Sequence, residues 1–205
     1  MKRQVVLATR NPGKVRELQR LLEGADVQML SLAEFPGAPE VEETGRTFAE
    51  NALLKAGSAA AHTGLIALAD DSGLEVDALG GRPGVYSARF AGPAAGDEEN
   101  NRKLLAMMQG VEGPARTARF RSAVAIASPD GRSRVLEGTC EGVLLDAPRG
   151  FDGFGYDPLF LVPDLGQTFA ELPMEEKNRI SHRGLALRKA LRELPAFWEE
   201  APRRE

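Results

Sequence analysis

With 205 residues, 42% hydrophobic and 27% charged, the chain is long enough to bury a sizeable core without covalent staples. A net charge of −4 argues against a protein that coats nucleic acid, whose footprint would be basic. The lone cysteine, Cys140, excludes an internal disulfide and a CxxC metal site, and the apolar runs are too short for a signal peptide or a membrane span, so a soluble cytoplasmic protein is expected.

From the N-terminus, Gln4 to Thr9 is apolar and β-branched and predicts a strand. Asn11-Pro12-Gly13 predicts a turn. Lys14 to Glu23 predicts a helix with Val15, Leu18, Leu21 and Leu22 on one face and Gly24 as its stop. A strand, a short turn and a helix start make an anion cradle, because the first helical N–H groups lack partners. This is not a Walker A loop: it holds one glycine, and Val15 follows Lys14 where Ser or Thr would hold magnesium. Val27 to Leu32 predicts a second strand and Phe35 to Glu43 a loop. Thr47 with Glu50 predicts a capping box for a helix to about Ala61. Leu65 to Asp70 then predicts a buried strand. The βαβα order argues an α/β sheet with a ligand site at the carboxyl ends of its strands.

Gly80 to Gly84 predicts a long turn. Asp97 is the expected cap of a helix to about Gln109, with Leu104, Leu105 and Met108 inward and Gly110 beyond its end. Thr117 to Ser128 and Ser133 to Leu145 alternate around Pro129-Asp130-Gly131 and predict a long antiparallel hairpin, suited to a second lobe or a dimer contact. Phe151 to Phe160 is aromatic, glycine-rich and acidic at once. Ser181 is the expected cap of a helix from Arg183 to Leu194, ended by Pro195 and followed by a frayed tail from Ala196 to Glu205.

Several stretches could carry chemistry. Asp70 and Asp71 end a buried strand, where a carboxylate pair needs a compensating partner such as Mg²⁺; the same D-S-G run also reads as a plain turn. Alternation aims the two aspartates at opposite sides, and Asp71, in step with Ala67 and Ala69, is the one expected to face a reacting centre. Glu42, with Glu43 equal to it by composition, could join Asp71 if the fold brings them together. Lys14 with Thr9 and Asn11 suits a phosphate. Phe154-Gly155-Tyr156-Asp157 offers a ring to stack on a purine and a carboxylate to accept its hydrogen bonds. Lys177, His182 and Arg183 offer donors. Two basic segments stand out in an acidic chain: residues 1–20 hold six basic groups against Glu17 alone, and residues 175–192 hold six against Glu175 and Glu176. They could gather around one anion.

LATRNPGKVREL, EETGRTFAENALLKA, ALADDSGLEVDALGGRPGVYSARFAG, GFGYDPLF and EEKNRISHRG, in this order over nearly the whole chain, together resemble the ITP/XTP pyrophosphatase family. The resemblance implies a single two-lobed domain over residues 1–205: an α/β fold around a mixed sheet with a central substrate cleft, the long hairpin, and a homodimer. It implies Mg²⁺-dependent hydrolysis of non-standard purine nucleoside triphosphates (ITP, dITP, XTP) to the monophosphate and pyrophosphate, with no nucleic-acid or membrane partner. A pyrophosphatase for other modified nucleotides and a catalytically silent nucleotide sensor are the alternatives.

By the same resemblance the phosphate loop is Thr9, Arg10, Asn11, Pro12, Gly13 and Lys14. Glu42 and Asp71 hold the metal, Asp71 is catalytic, and Ser72 contacts substrate. The base pocket is Phe154, Gly155, Tyr156 and Asp157 with Lys177, His182 and Arg183. Arg10 departs from the family pattern, which often has glycine there, so its side chain must point away from tightly packed phosphates. Donors from His182 and Arg183 would favour a purine with a C6 carbonyl over adenine. A donor facing C2, Lys177 or a backbone N–H, would leave the amino group of guanine unpaired. Mismatches of this kind can discriminate by about 10⁴ or more.

Overall fold

The structure is a computed structural model and describes residues 3–22 and 26–200. Gly24, the expected stop of the first helix, lies outside the described residues, as does the tail beyond residue 200. Among the described residues, seven strands form one mixed sheet in the order β2-β1-β3-β4-β5-β6-β7. β1 (Arg3–Leu7) pairs parallel with β2 (Val27–Ser31) and with β3 (Ile66–Val76). β4 (Thr117–Ala127) and β5 (Ser133–Leu144) are the expected hairpin, and β6 (Phe160–Val162) and β7 (Gln167–Thr168) complete the antiparallel half. The hairpin lies in the interior of the sheet, with β4 laid along β3 from Ala67 to Val76. The parallel and antiparallel halves therefore share one platform.

β3 departs from the expected boundary. It runs straight through Asp70, Asp71, Ser72 and Gly73 instead of turning there. Pairing with β4 at every one of these positions overrides the turn preference of D-S-G. Gly73 serves close approach: a Cβ there would lie 2.4 Å from Ser87 Oγ and 2.6 Å from the Gly84 carbonyl oxygen. The strand therefore admits the 3-10 turn Gly84–Arg89 against its surface.

Helices cover both faces. α1 (Pro12–Leu22) and α5 (His182–Glu199) lie on one side, burying Leu18, Leu187, Ala190 and Leu194 against Val5, Leu7, Ile66, Leu68, Val124 and Ile126. α2 (Phe48–Thr63) lies on the other, its Ala52, Ala56, Ala59 and Ala60 against Ala67, Ala69, Ala123 and Ala125. Small side chains on both partners let helix and sheet approach closely. The antiparallel half has its own core, in which α3 (Asp97–Met107) contributes Leu104 and joins Leu74, Phe120, Phe160 and Phe169.

Caps and breaks explain the helix limits. Thr47 Oγ accepts the Glu50 N–H, and Glu50 reaches back to the Arg46 N–H, one residue beyond the expected box. Asp97 is not the cap of α3; Gly96 occupies that position, with its N–H donated to Glu99. Ser181 caps α5 as expected, through the Gly184 N–H. Pro195 does not end α5, which continues to Glu199. The proline removes one helical N–H, but Phe197 beyond it is buried, and the Arg132 and Arg134 guanidiniums face its ring at 4.9 and 5.8 Å. A short helix, α4 (Met174–Ile180), precedes α5.

α5 crosses β5 at Gly138, where a Cβ would fall 2.1 Å from the His182 carbonyl oxygen and 2.7 Å from the Ala186 nitrogen. Backbone cannot yield as a side-chain end can. Gly138→Ala is therefore expected to destabilise the protein by about 1–3 kcal/mol, read as a lower melting temperature in a thermal scan. An unchanged melting temperature would refute this packing.

Candidate active site

The β1 ladder on β3 ends at Leu7–Leu68, and contact on that side resumes only where the Leu74 N–H meets Ser87 Oγ. Asp71 and Ser72 open onto a cleft in the interval. The segment leaving β1 forms one wall. Thr9 Oγ accepts the Asn11 N–H at 3.3 Å, and Asn11 Oδ1 accepts the N–H groups of Gly13 and Lys14 at 2.9 and 3.1 Å. Asn11 thus caps α1, with Pro12 at its first position. The N–H groups expected to be free for an anion are already taken by Asn11. Lys14, one turn in, sends its ammonium to Asp70 at 3.1 Å.

Asp71 points to the other face, toward α2. Lys55 lies 2.9 Å from its Oδ1, and Asn51 Nδ2 donates to its Oδ2 at 3.2 Å. Lys55 also meets Glu43 at 2.9 Å, and Arg89 holds the second oxygen of Glu43. The structure therefore turns Glu43 toward Asp71, whereas Glu42 is exposed and does not line the cleft. The physical reason is charge: Lys55 and Arg89 attract the Glu43 side chain, and its neighbour points away. Burial pushes the Asp71 carboxyl above the ordinary aspartate range, against the pull of Lys55 and Lys14. Burial also acts against Asp70, but Lys14, Arg183 and Lys55 outweigh it and hold that carboxyl far below the usual range.

A second layer of buried charge joins this wall to the C-terminal helices. Arg183 donates to Asp70 at 3.0 Å, to Ser72 Oγ at 2.7 Å and to Glu17. Lys177 lies 2.6 Å from both Glu17 and Asp157. Asp157 in turn accepts the Phe154 N–H at 2.9 Å. The Phe154 ring covers Lys177 and Arg183, with the cationic centres 5.2 and 5.3 Å from its centroid. Asp97 accepts the Gly155 N–H at 2.7 Å and Asn101 donates to its carbonyl at 2.8 Å, so α3 fixes this turn. The Tyr156 hydroxyl donates to the Ser87 carbonyl oxygen.

Thr9, Arg10, Asn11, Lys14, Asp71, Ser72, Phe154, Gly155, Tyr156 and Arg183 all line one cleft of about 330 Å³. Behind Phe154 lies a second pocket of about 390 Å³, lined by Gly13, Glu17, Phe154 and Lys177. Phe154 is the wall between them, pressed so close to Gly13 that a Cβ there would lie 2.9 Å from the ring. Pro12, Asp157 and His182 line neither space. His182 is buried, stacked on Phe120 with centroids 4.7 Å apart and planes 10° apart, and its Nδ1 has no hydrogen-bond partner among the described residues.

Sequence reasoning missed Glu17, Asn51, Lys55 and Asn101. Helical spacing offered a signal for three of them: Glu17 is three residues after Lys14, and Asn51 and Lys55 are four apart. Cys140 takes no part; it is half-buried on β5 and burial pushes its thiol up to about 11.

A cleft walled by lysine–aspartate pairs, with an aromatic partition leading to a second pocket, suits a ligand with an anionic chain at one end and a flat ring at the other. The family model described as the Ham1 family matches residues 5–193, and the chain belongs to that family. It is 61% identical over 188 residues to a dITP/XTP pyrophosphatase of Desulforamulus reducens, covering 92% of this chain and 94% of the relative. Among solved structures it resembles a HAM1 protein from Coxiella burnetii (TM-score 0.86, 43% identity, 95% of this chain and 99% of that one). It also resembles a nucleoside-triphosphatase, dITP/XTP pyrophosphatase, from Mycobacterium abscessus (TM-score 0.74, 45% identity, 93% and 99%).

His182 makes stability depend on pH. Burial lowers its pKa well below 6.5, and Arg183 and Lys177 push the same way. The folded protein keeps the ring neutral, while the unfolded chain binds a proton near pH 6.5. This contribution is complete above about pH 6.5 and is lost as pH falls below it. His182→Phe, which keeps the stack on Phe120, is expected to flatten the decline in melting temperature between about pH 7 and pH 5. An equally steep decline in the variant would refute this.

Proposed function

We propose that the protein hydrolyses non-standard purine nucleoside triphosphates (ITP, dITP and XTP) to the monophosphate and pyrophosphate, with Mg²⁺, as a cytoplasmic homodimer. The observation that carries this reading is the convergence of Thr9, Arg10, Asn11, Lys14, Asp71, Ser72, Phe154, Gly155, Tyr156 and Arg183 on one cleft. Family membership and the naming of its relatives as dITP/XTP pyrophosphatases support it.

The residues fit a divalent cation. Asp71 and Glu43 converge on a shared positive charge, the Lys55 ammonium, and Mg²⁺ is commonly held by one or two carboxylates with substrate phosphates completing its shell. Among the described residues no group of three or more acidic, histidine or cysteine side chains forms a metal cage, which agrees with a cation that arrives with its nucleotide. Bound there, it would supply Lewis-acid neutralisation of the phosphates and acidify a water.

The chain supplies the rest. Water adds to the α-phosphorus and gives its proton to Asp71, whose raised pKa suits a base. The bond from the α-phosphorus to the bridging oxygen breaks, and pyrophosphate leaves with charge that Lys14 and Lys55 balance. The purine enters the pocket behind Phe154. Lys177 spends two of its hydrogen bonds on Glu17 and Asp157 and has a third proton for a base oxygen. His182 acts from behind this pocket, stacked on Phe120, not as a donor within the cleft.

Asp71→Asn is expected to lower turnover by about 10²–10⁴-fold with a small change in nucleotide binding, measured by pyrophosphate release and by calorimetry; near-normal turnover would remove Asp71 from its role. Over a panel of triphosphates, with and without Mg²⁺, ITP and XTP should exceed GTP by orders of magnitude. Comparable rates for GTP and ITP would overturn the base-recognition reading, and preference for a modified pyrimidine would replace the substrate class.

A further inference from the structure

Among the described residues, five large side chains with apolar bodies are exposed: Leu54, Tyr86, Phe151, Leu165 and Met174. Exposed apolar groups scattered singly need no explanation. Phe151 and Met174 are not scattered, because both line the pocket behind Phe154. Phe151, three residues before Phe154, is fully exposed, so its ring gains nothing from folding. The chemistry at Asp71 makes no use of it.

The backbone under Phe151 is held while its ring is free. The Asp152 N–H donates to the Ala170 carbonyl oxygen at 3.2 Å, and the Arg149 N–H donates to that of Pro158 at 2.9 Å. Gly150 lies so close to Ala170 that a Cβ would fall 2.5 Å from its carbonyl oxygen. Gly150 and Gly153 take left-handed backbone, φ +84° and +81°, on either side of Phe151-Asp152. The turn thus fixes where the Phe151 backbone stands. Closing the ring over the pocket needs only side-chain rotation, which is fast in exposed residues, and only two χ angles are ordered when it closes.

A purine in this pocket has two faces. Phe154 forms one wall, and the opposite face stays in water unless a side chain covers it. Every base has a π-face on which an aromatic ring can stack, and a methionine sulfur packs well at a ring edge. We infer that Phe151 closes over the purine, so that the base lies between its ring and that of Phe154, with Met174 packed at the edge. The inference rests on the pyrophosphatase reading, which puts the base in this pocket, and adds a substrate-binding residue at its mouth. Stacking tolerates any base, so Phe151 strengthens binding of purines in general and takes no part in separating hypoxanthine from guanine.

The test uses the full-length protein with Mg²⁺ and compares the wild type with Phe151→Ala, Phe151→Trp and Phe154→Ala. Phe151→Ala should weaken IMP binding and raise KM for ITP by about fivefold or more, the low end of one base–aromatic stack. Its affinity for inorganic tripolyphosphate, which has no base, should not change, nor should the ITP-to-GTP ratio of kcat/KM. Phe151→Trp should bind IMP at least as well as the wild type, and its added indole emission should change as IMP is titrated. Trp198, the one native tryptophan, sits at the far end of α5 and supplies the wild-type baseline. Phe151 is exposed, so Phe151→Ala keeps the fold, and a thermal scan verifies that. Unchanged IMP affinity in Phe151→Ala alongside a loss in Phe154→Ala would overturn the inference and leave the base pocket standing. No loss in either variant would overturn both. An equal weakening of tripolyphosphate, or a changed ITP-to-GTP ratio, would overturn the stacking role. A shift in sedimentation of Phe151→Ala with unchanged IMP affinity would also overturn it, assigning the ring to a contact between copies. If the wild type releases no pyrophosphate from any triphosphate, the enzymatic reading fails, while the IMP titrations still decide the role of Phe151.

Discussion

Two successive aspartates in the middle of a buried strand need compensation from both faces of the sheet. Asp70 and Asp71 are 2% and 5% exposed, and the alternation of β3 sends them opposite ways. An unpaired buried carboxylate is strongly unfavourable, and removing one partner from a buried ion pair typically destabilises by about 3–5 kcal/mol. Each face must therefore deliver a cation at a fixed place. α1 supplies Lys14 and α5 supplies Arg183 to Asp70, while α2 supplies Lys55 to Asp71. Helix positions that apolar packing alone would leave loose are thereby registered against one pair of residues on β3.

The same charges extend outward as a chain. Arg183 reaches Glu17, Glu17 reaches Lys177, and Lys177 reaches Asp157 beneath the Phe154 turn. Glu17 lies between two cations, and Arg183 and Lys177 outweigh burial to hold its carboxyl low, while Asp157 ends the series on Lys177 and the Phe154 N–H. Glu17 stands on the helix that begins at the Thr9–Lys14 turn, so its buried pairs tie that turn to the C-terminal helices. A ligand that touched Lys14 at one end and the Phe154 side at the other would contact two ends of one rigid network.

The cleft exists because β1 is shorter than β3. Where β1 ends, β3 loses a neighbour on one side, and the gap gives access to both faces of the sheet near Asp71 and Ser72. Phe154 then divides that space from the pocket over Lys177. On the reading proposed above, a nucleotide spans this partition, with its phosphates among the lysines of the cleft and its ring beyond Phe154.

The elements were largely legible from local pattern. Periodicity marked β1, α1, α2, α3 and the hairpin, and Ser181 and Thr47 marked two helix starts, because caps and amphipathic faces are short-range properties. The resemblance supplied the family and named the residues expected in the site. What local pattern could not settle depended on partners distant in sequence. Pairing with β4 made D-S-G a strand, and the buried Phe197 let α5 pass Pro195. Lys55 and Arg89 chose Glu43 over Glu42, residues that composition could not separate. Glu17, an ordinary helical glutamate by sequence, became the link between Arg183 and Lys177 only when α1, α4 and α5 packed together. Local sequence fixes which way a backbone bends, whereas the identity of a buried charge's partner depends on which distant segment the fold sets beside it.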